Sequence, residues 1–160
     1  MHISAKVDYA VRALLLLAQR APELVTAEAL SAEQDLPREY AEQILTELRK
    51  LGYVVSKRGA RGGFHLAHPA DEVLIGPVLS SLEGPFVTVR AALPDTLTYR
   101  GVAQHLPTLW GALDETLHDV LDHVTLADLL TGAVPSPRDP AAAQGPAADT
   151  LSNPSLVGGC

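Results

Sequence analysis

Residues 38–66 read REYAEQILTELRKLGYVVSKRGARGGFHL, and this stretch decides the fold. Its first half repeats apolar residues at helical spacing, which predicts a helix that ends at Gly52, a residue type suited to closing helices. The apolar stripe of that helix consists of Ala41, Ile44, Leu45, Leu48 and Leu51. Two short β-rich runs follow, residues 53–56 and 64–67, and a basic tip with glycines separates them. The second half therefore predicts a β-hairpin with a long loop.

Two further helices are predicted upstream. Apolar residues recur at helical spacing after Ser4, which can cap the first turn, so we predict a helix over residues 4–20. A second, short helix begins after Thr26 and ends near Asp35, a residue type that tolerates the left-handed backbone of a tight turn. Pro37 suits the first turn of the third helix. The order helix, helix, turn, helix, hairpin predicts a mainly α fold with a small β-hairpin wing, a winged helix-turn-helix.

Charge is unevenly distributed along the chain. The 160 residues carry a formal net charge of -7, with nine Lys/Arg against eight Asp/Glu through Pro69 and three against eleven thereafter. Five basic residues and no acidic one fall from Arg49 to Arg61. A basic stretch without acids in an acidic chain favours a polyanionic partner, and we expect double-stranded DNA. A plain solvated turn is the alternative, whereas a nucleotide-binding loop is disfavoured because no Gly-Lys-Ser/Thr follows the glycines.

The third helix and the hairpin tip carry the candidate DNA-binding residues. In a helix-turn-helix, the second helix of the pair lies in the major groove, and side chains near its amino end reach base edges. The residues at that position are Arg38, Glu39, Tyr40, Glu42 and Gln43. Those at the tip are Lys57, Arg58 and Arg61, and an arginine there can enter a narrow minor groove. A solvated polar helix face without a role in DNA binding is the alternative for the first group.

The carboxyl-terminal half contains a regular apolar stripe. Its members are spaced alternately four and three residues apart: Leu106, Trp110, Leu113, Leu117, Val120 and Val124. This heptad pattern predicts a long helix that packs against another helix, from a second copy or from the same chain. A homodimer would set two reading helices one DNA turn apart, ~34 Å.

The predicted domain organisation has three parts. Residues 1–84 form the winged helix-turn-helix domain, and residues 85–132 hold a linker, the long dimerisation helix and a short terminal helix. Residues 133–160 are rich in proline and small residues, which is typical of a disordered tail.

Other site types find little support in the sequence. The single cysteine, Cys160, excludes a disulfide within one chain. The chain has neither a good signal-peptide core nor an apolar run long enough for a membrane helix, so we expect a cytoplasmic protein. The histidine pairs His65 and His68, and His118 and His123, do not share a helical face, so no metal site is predicted. Because no nucleophile or acid-base arrangement stands out, we do not expect an enzyme.

The segment from Ile3 to about Pro85 resembles the Rrf2 family of bacterial winged helix-turn-helix regulators. The matching stretches are SAKVDYAVRAL at 4–14, YAEQILTELRKLGYV at 40–54, RGARGGFHLA at 58–67 and LEGP at 82–85. The resemblance implies a homodimeric transcriptional regulator that binds a pseudo-palindromic operator, and we expect a repressor. It also implies that the residues around Tyr40 and Gln43 lie in the major groove and that Arg58 lies in the minor groove.

The chain departs from the family pattern at the cofactor. Cluster-binding members carry three cysteines before the dimerisation helix, whereas residues 86–105 contain none, so no iron-sulfur cluster is expected. One branch ligates its cluster partly with an acid and a histidine on the first helix; here Asp8 matches the acid, but Arg12 replaces the histidine. The effector, a small molecule or a protein, is not identified. The alternatives are a winged-helix module that binds only proteins, a regulator of this fold that senses a metal or a redox signal, and an enzyme that uses nucleotides.

Overall fold

The computed structural model describes residues 3–134. In that range the elements are α1 Ala5–Arg20, α2 Ala27–Gln34, α3 Arg38–Lys50, β1 Val54–Lys57, β2 Gly63–Leu66, α4 Ile75–Glu83, α5 Leu106–Leu121 and α6 Leu126–Thr131. Two short 3-10 turns, Pro94–Thr96 and Gly101–Ala103, lie in the linker between α4 and α5. The predicted mainly α fold with a two-stranded wing is confirmed. Of the predicted tail, residues 135–160 lie outside the described range.

The caps predicted from the sequence define the starts of α1 and α2. The Ser4 hydroxyl accepts a hydrogen bond from the Val7 amide, and the Thr26 hydroxyl accepts one from the Ala29 amide. Asp35 closes α2 with a left-handed backbone, φ 50°. Such geometry costs little for aspartate and reverses the chain within a few residues. The turn brings α3 against α2 and α1, so the three helices share one core.

The buried face of α3 follows the predicted stripe with one exception. Ala41, Ile44, Leu45 and Leu48 are buried, whereas Leu51 is 38% exposed. Because α3 ends at Lys50 and Gly52 takes a positive φ of 86°, the chain leaves the helix before Leu51 can reach the core. The prediction that Leu51 belongs to the buried stripe was therefore wrong, whereas the prediction that the helix ends at Gly52 agrees with the structure.

The wing is attached to the loop between α1 and α2. Its strands pair in the antiparallel register Val54↔Leu66 through Lys57↔Gly63. Phe64 exchanges two backbone hydrogen bonds with Val25, at 2.9 and 2.8 Å. A Cβ at Gly63 would lie 3.0 Å from the Val25 carbonyl oxygen, so glycine allows this close approach. These backbone contacts hold the hairpin beside the helix-turn-helix.

The turn between α5 and α6 is joined to the start of α4 by backbone hydrogen bonds. The Ile75 amide donates to Val124 O at 2.8 Å, and the Leu126 amide donates to Val73 O at 3.0 Å. Val124 is 3% exposed and belongs to the same core cluster as the three amino-terminal helices. The predicted heptad stripe therefore ends before Val124, because α5 stops at Leu121 and the chain turns into the core. None of the helices in the described range is long and apolar enough to cross a bilayer.

Candidate nucleic-acid interface

The five candidate base-reading residues lie together on the outer face of α3. Their side chains are exposed, while the opposite face of the helix is buried against α1 and α2. They are Arg38, Glu39, Tyr40, Glu42 and Gln43. Because the apolar stripe buries one face of α3, the polar face is exposed to solvent, and these five residues lie in its first two turns.

Two contacts restrict side chains on this face. Arg38 Nε donates to Glu42 Oε1 at 3.4 Å, one turn along the helix. The Tyr40 ring packs edge-on to Tyr9 of α1, with centroids 6.0 Å apart. The Arg12 guanidinium lies 5.7 Å from the centre of the Tyr9 ring. Arg12, Tyr9 and Tyr40 therefore form a stack that supports the start of α3.

The carboxyl end of α3 is tied to two other elements. Arg49 Nη1 donates to the Ser56 hydroxyl at 3.2 Å, which links the helix to β1 of the wing. Lys6 of α1 donates to Glu47 Oε1 at 3.4 Å and to Leu82 O at 2.6 Å. The Lys6 ammonium therefore joins α1, α3 and the last turn of α4. Sequence reasoning missed the two contacts of Lys6, since no local pattern marks partners that lie 41 and 76 residues apart.

The three wing cations project from the hairpin into solvent. Lys57, Arg58 and Arg61 are exposed, and none of them forms an ion pair with another residue in the range 3–134. The Gly62 amide closes the tip by donating to Gly59 O at 2.9 Å. A Cβ at Gly62 would collide with the Lys57 carbonyl, so the tight tip requires glycine there. The cations are thus held on a short, closed loop.

Two arginines of α1, Arg12 and Arg20, are already paired with acids. Arg20 bonds Glu33 at 2.7 Å, which raises the pKa of Arg20, and Arg12 contacts Asp8 at 3.3 Å. Arg12 also donates to the Gln34 carbonyl at the end of α2. These side chains stabilise the packing of α1 against α2, whereas the charges of the wing stay available for a ligand.

Comparison with known proteins agrees with this geometry. A family model described as Rrf2, iron-dependent transcriptional regulator, matches residues 3–132. The chain belongs to the Rrf2 family. It is similar to Rv1287 of Mycobacterium tuberculosis, named as an HTH-type transcriptional regulator, with 40% identity covering 84% of each chain. Rrf2 proteins of this kind are regulators, not enzymes.

Two solved structures share the Rrf2 architecture of this chain. CymR of B. subtilis, titled the global cysteine regulator, is 29% identical, covers 82% of this chain and 98% of its own, and superposes with a TM-score of 0.70. IscR of T. potens is 31% identical, covers 83% of this chain and 88% of its own, and gives a TM-score of 0.66. The arrangement of α1 to α3 and the hairpin is therefore that of an Rrf2 winged helix-turn-helix.

The iron implied by the Rrf2 family description does not fit the residues present. Iron-sulfur clusters are held mainly by cysteine thiolates, and the only cysteine of the chain is its last residue, Cys160. Residues 3–134 contain no cluster of three or more His, Cys, Asp or Glu side chains that would hold a metal ion. Arg12, at the position of the histidine ligand in one branch, is bonded to α2 and has no lone pair for a metal.

The linker that carries cluster cysteines in other members is folded here by its own contacts. Val89 and Ala92 exchange two backbone hydrogen bonds around a tight turn, at 3.0 and 3.1 Å. The Arg90 guanidinium lies over the Tyr99 ring at 5.3 Å. In this chain a tight turn and a cation-π contact order the segment without any thiolate ligand.

Proposed function

We propose that this protein is a homodimeric repressor that binds a pseudo-palindromic operator in the cytoplasm. Reading helix α3 lies in the major groove through Arg38, Tyr40 and Gln43, and the wing contacts the adjacent minor groove through Arg58. One observation carries this proposal: the exposed cations of the wing have no acidic partner in the described range, and their hairpin is bonded to the carboxyl end of α3 through Arg49 and Ser56. Such an arrangement suits phosphate contacts that position a reading helix.

The polar side chains on the exposed face of α3 determine which bases this helix favours. Gln43 can bond adenine through N6 and N7, and a glutamate accepts from cytosine N4. Arg38 bonds Glu42 in the absence of DNA, so guanine recognition by Arg38 requires this pair to open. Glutamates near phosphates also lower non-specific affinity, so the protein depends more on matched bases than a wholly basic helix does.

The proposed dimer forms through α5. Leu109 and Leu113 are 51% and 46% exposed, and no residue of α5 is fully buried by its own chain. Leu117 packs partly against the core of its own domain, so the face left for a second copy is centred on Leu106, Trp110, Leu113 and Val120. An apolar helix face of this length favours burial against the same face of a second copy.

The signal that controls the protein is proposed to be other than a cysteine-ligated cluster. The lack of thiolates before α5 and the engagement of Arg12 support a small molecule or a protein partner. The protein as isolated under anaerobic conditions is then expected to lack the visible absorbance of an iron-sulfur cluster.

Selection from a randomised duplex library by the full-length protein tests the proposal. We expect enrichment of a two-fold symmetric sequence with half-sites centred about one turn apart, roughly 10 base pairs, and affinity that falls steeply with salt. Enrichment of a single asymmetric half-site would contradict the dimeric mode. A protein that shows neither enrichment nor salt-dependent duplex affinity would instead be a protein-binding winged-helix module.

A further inference from the structure

A cavity of about 650 Å³ lies between the end of α1 and the wing. Its wall is mostly apolar, formed by residues such as Ala18, Pro22, Leu24 and Pro69. The volume falls within the range of about 300 to 1,000 Å³ that is typical of small-molecule sites. None of the described residues that line it is acidic.

Three basic side chains line this cavity: Lys57, His65 and His68. The hairpin register explains two of them. Val55 pairs with His65 and Lys57 pairs with Gly63, so Lys57 and His65 lie on the same face of the hairpin, as diagonal neighbours. His65 Nδ1 contacts Leu66 O at 2.8 Å, which fixes the imidazole ring. The Lys57 ammonium has no ion pair with another residue in the range 3–134.

We propose that this cavity binds a small organic anion with an apolar body, of the aromatic carboxylate type. The apolar wall buries the body of the ligand, and the Lys57 ammonium forms a charge-assisted hydrogen bond with its carboxylate. His68, two residues after the end of β2, supplies a second polar contact. The wall is poor in groups that would bond sugar hydroxyls, so a nucleotide is a worse match than a compact organic acid.

Occupancy of the cavity would act on the wing, and this step rests on the proposed DNA-binding function. Lys57 is the last residue of β1 and is followed directly by Arg58 at the tip. A carboxylate on Lys57 removes one positive charge from the surface that faces phosphates. Ligand binding is therefore expected to lower the affinity for the operator and to reduce the salt dependence of that affinity by about one phosphate contact.

Titration of the ¹⁵N-labelled full-length protein with benzoate, in the absence of DNA, tests the site itself. We expect saturable amide shifts confined to residues that line the cavity, namely Ala18, Leu24, Lys57, residues 65–68 and Ala70. Lys57→Gln should weaken benzoate binding by roughly tenfold, the loss expected for one charge-assisted contact. Lys50→Gln removes the same charge from α3, outside the cavity, and should leave benzoate binding unchanged.

Benzamide, a neutral molecule of the same shape, is the matched ligand control. Equal binding of benzoate and benzamide, or equal binding by wild type and Lys57→Gln, overturns the assignment of an anion site. Absence of saturable shifts with benzoate at millimolar concentration overturns the site altogether. Because no DNA is present, these outcomes are independent of the proposed operator binding. If benzoate binds without changing operator affinity, the coupling to the wing is rejected and the site stands.

Discussion

Asp122 lies directly over Gly76, so that the first turn of α4 has no room for a side chain beneath the end of α5. A Cβ built at Gly76 would collide with the Asp122 carboxylate and would lie 3.1 Å from the Asp122 backbone nitrogen. The same carboxylate accepts a hydrogen bond from His118 Nδ1 at 2.8 Å, and the His118 ring packs on Phe86 of the linker, with centroids 4.7 Å apart. The junction between α4 and the end of α5 therefore depends on a glycine.

Gly76→Ala is expected to destabilise the protein by about 1 kcal/mol. Displacement of the Asp122 carboxylate and strain against its backbone outweigh the gain in helix propensity, which is about 1 kcal/mol. Gly111→Ala is the matched control, because a Cβ at Gly111 in α5 meets no other atom within 4 Å. The control should be neutral or stabilising in thermal or urea unfolding. If both variants are stabilised alike, the proposed close packing at Gly76 is incorrect.

Arg58→Ala is expected to reduce affinity for the selected operator by about ten- to a hundredfold, because one arginine contact contributes about 1–3 kcal/mol. Fluorescence anisotropy at several salt concentrations should show a smaller salt dependence for the variant. Arg100→Ala, which removes an exposed arginine of the linker, provides the control with the same change of charge. Equal losses in the two variants would indicate a general charge effect and not a contact made by the wing.

Leu113→Asp is expected to convert the proposed dimer to monomer, because the substitution places a carboxylate in the centre of the apolar face of α5. Sedimentation velocity over a range of protein concentrations measures the change. Val102→Asp introduces the same charge at a fully exposed linker position and should leave the mass unchanged. A monomeric wild-type protein, or a Leu113→Asp protein that stays dimeric, would refute dimerisation through this face.

Ala91→Gly is expected to stabilise the protein by about 0.5 to 1 kcal/mol, since relief of left-handed strain exceeds the added entropy of the unfolded chain. Arg90 and Ala91 have φ values of 55° and 59°, and two such residues form the hairpin turn that normally favours Asn-Gly. Ala92→Gly is the adjacent control and should destabilise. A stabilising effect of both substitutions would show that the turn is not strained.

Stability is expected to depend on pH through the cap of α6. Hydrogen bonds from the Thr125 hydroxyl and backbone amide lower the pKa of Asp128. A carboxyl with a lowered folded-state pKa stabilises the protein above its unfolded pKa of about 4 and loses this contribution as the pH falls through the folded-state value.

Asp128→Asn should therefore lower the melting temperature at neutral pH, with a difference from wild type that shrinks in acid. Thr125→Val should have the same effect, whereas Thr125→Ser retains the hydroxyl and should behave like wild type. A difference between Asp128→Asn and wild type that stays constant from neutral to acidic pH would contradict this role of the carboxylate.

The sequence by itself determined the elements of the winged helix-turn-helix. Helical spacing, the caps Ser4 and Thr26, the left-handed Asp35 and the closing Gly52 are local signals, since each depends on residues within about one or two turns of chain. Because these signals are local, two predictions were wrong, namely Leu51 on the buried face of α3 and Val124 on the heptad stripe of α5. The apolar periodicity continues through both residues, yet it carries no information on where tertiary contacts end a helix.

Only the tertiary structure decided which charged groups are engaged and which surfaces are left to bind. Besides any neighbours on their own helix, Lys6, Arg12 and Arg20 each bind a partner 13 to 76 residues away, while the cations of the wing have no ion-pair partner in the described range. The cavity behind the wing likewise combines residues of α1, of the loop that follows it and of both strands. Such pairings follow from how helices and hairpin pack around one core, because packing brings together side chains that no sequence spacing relates.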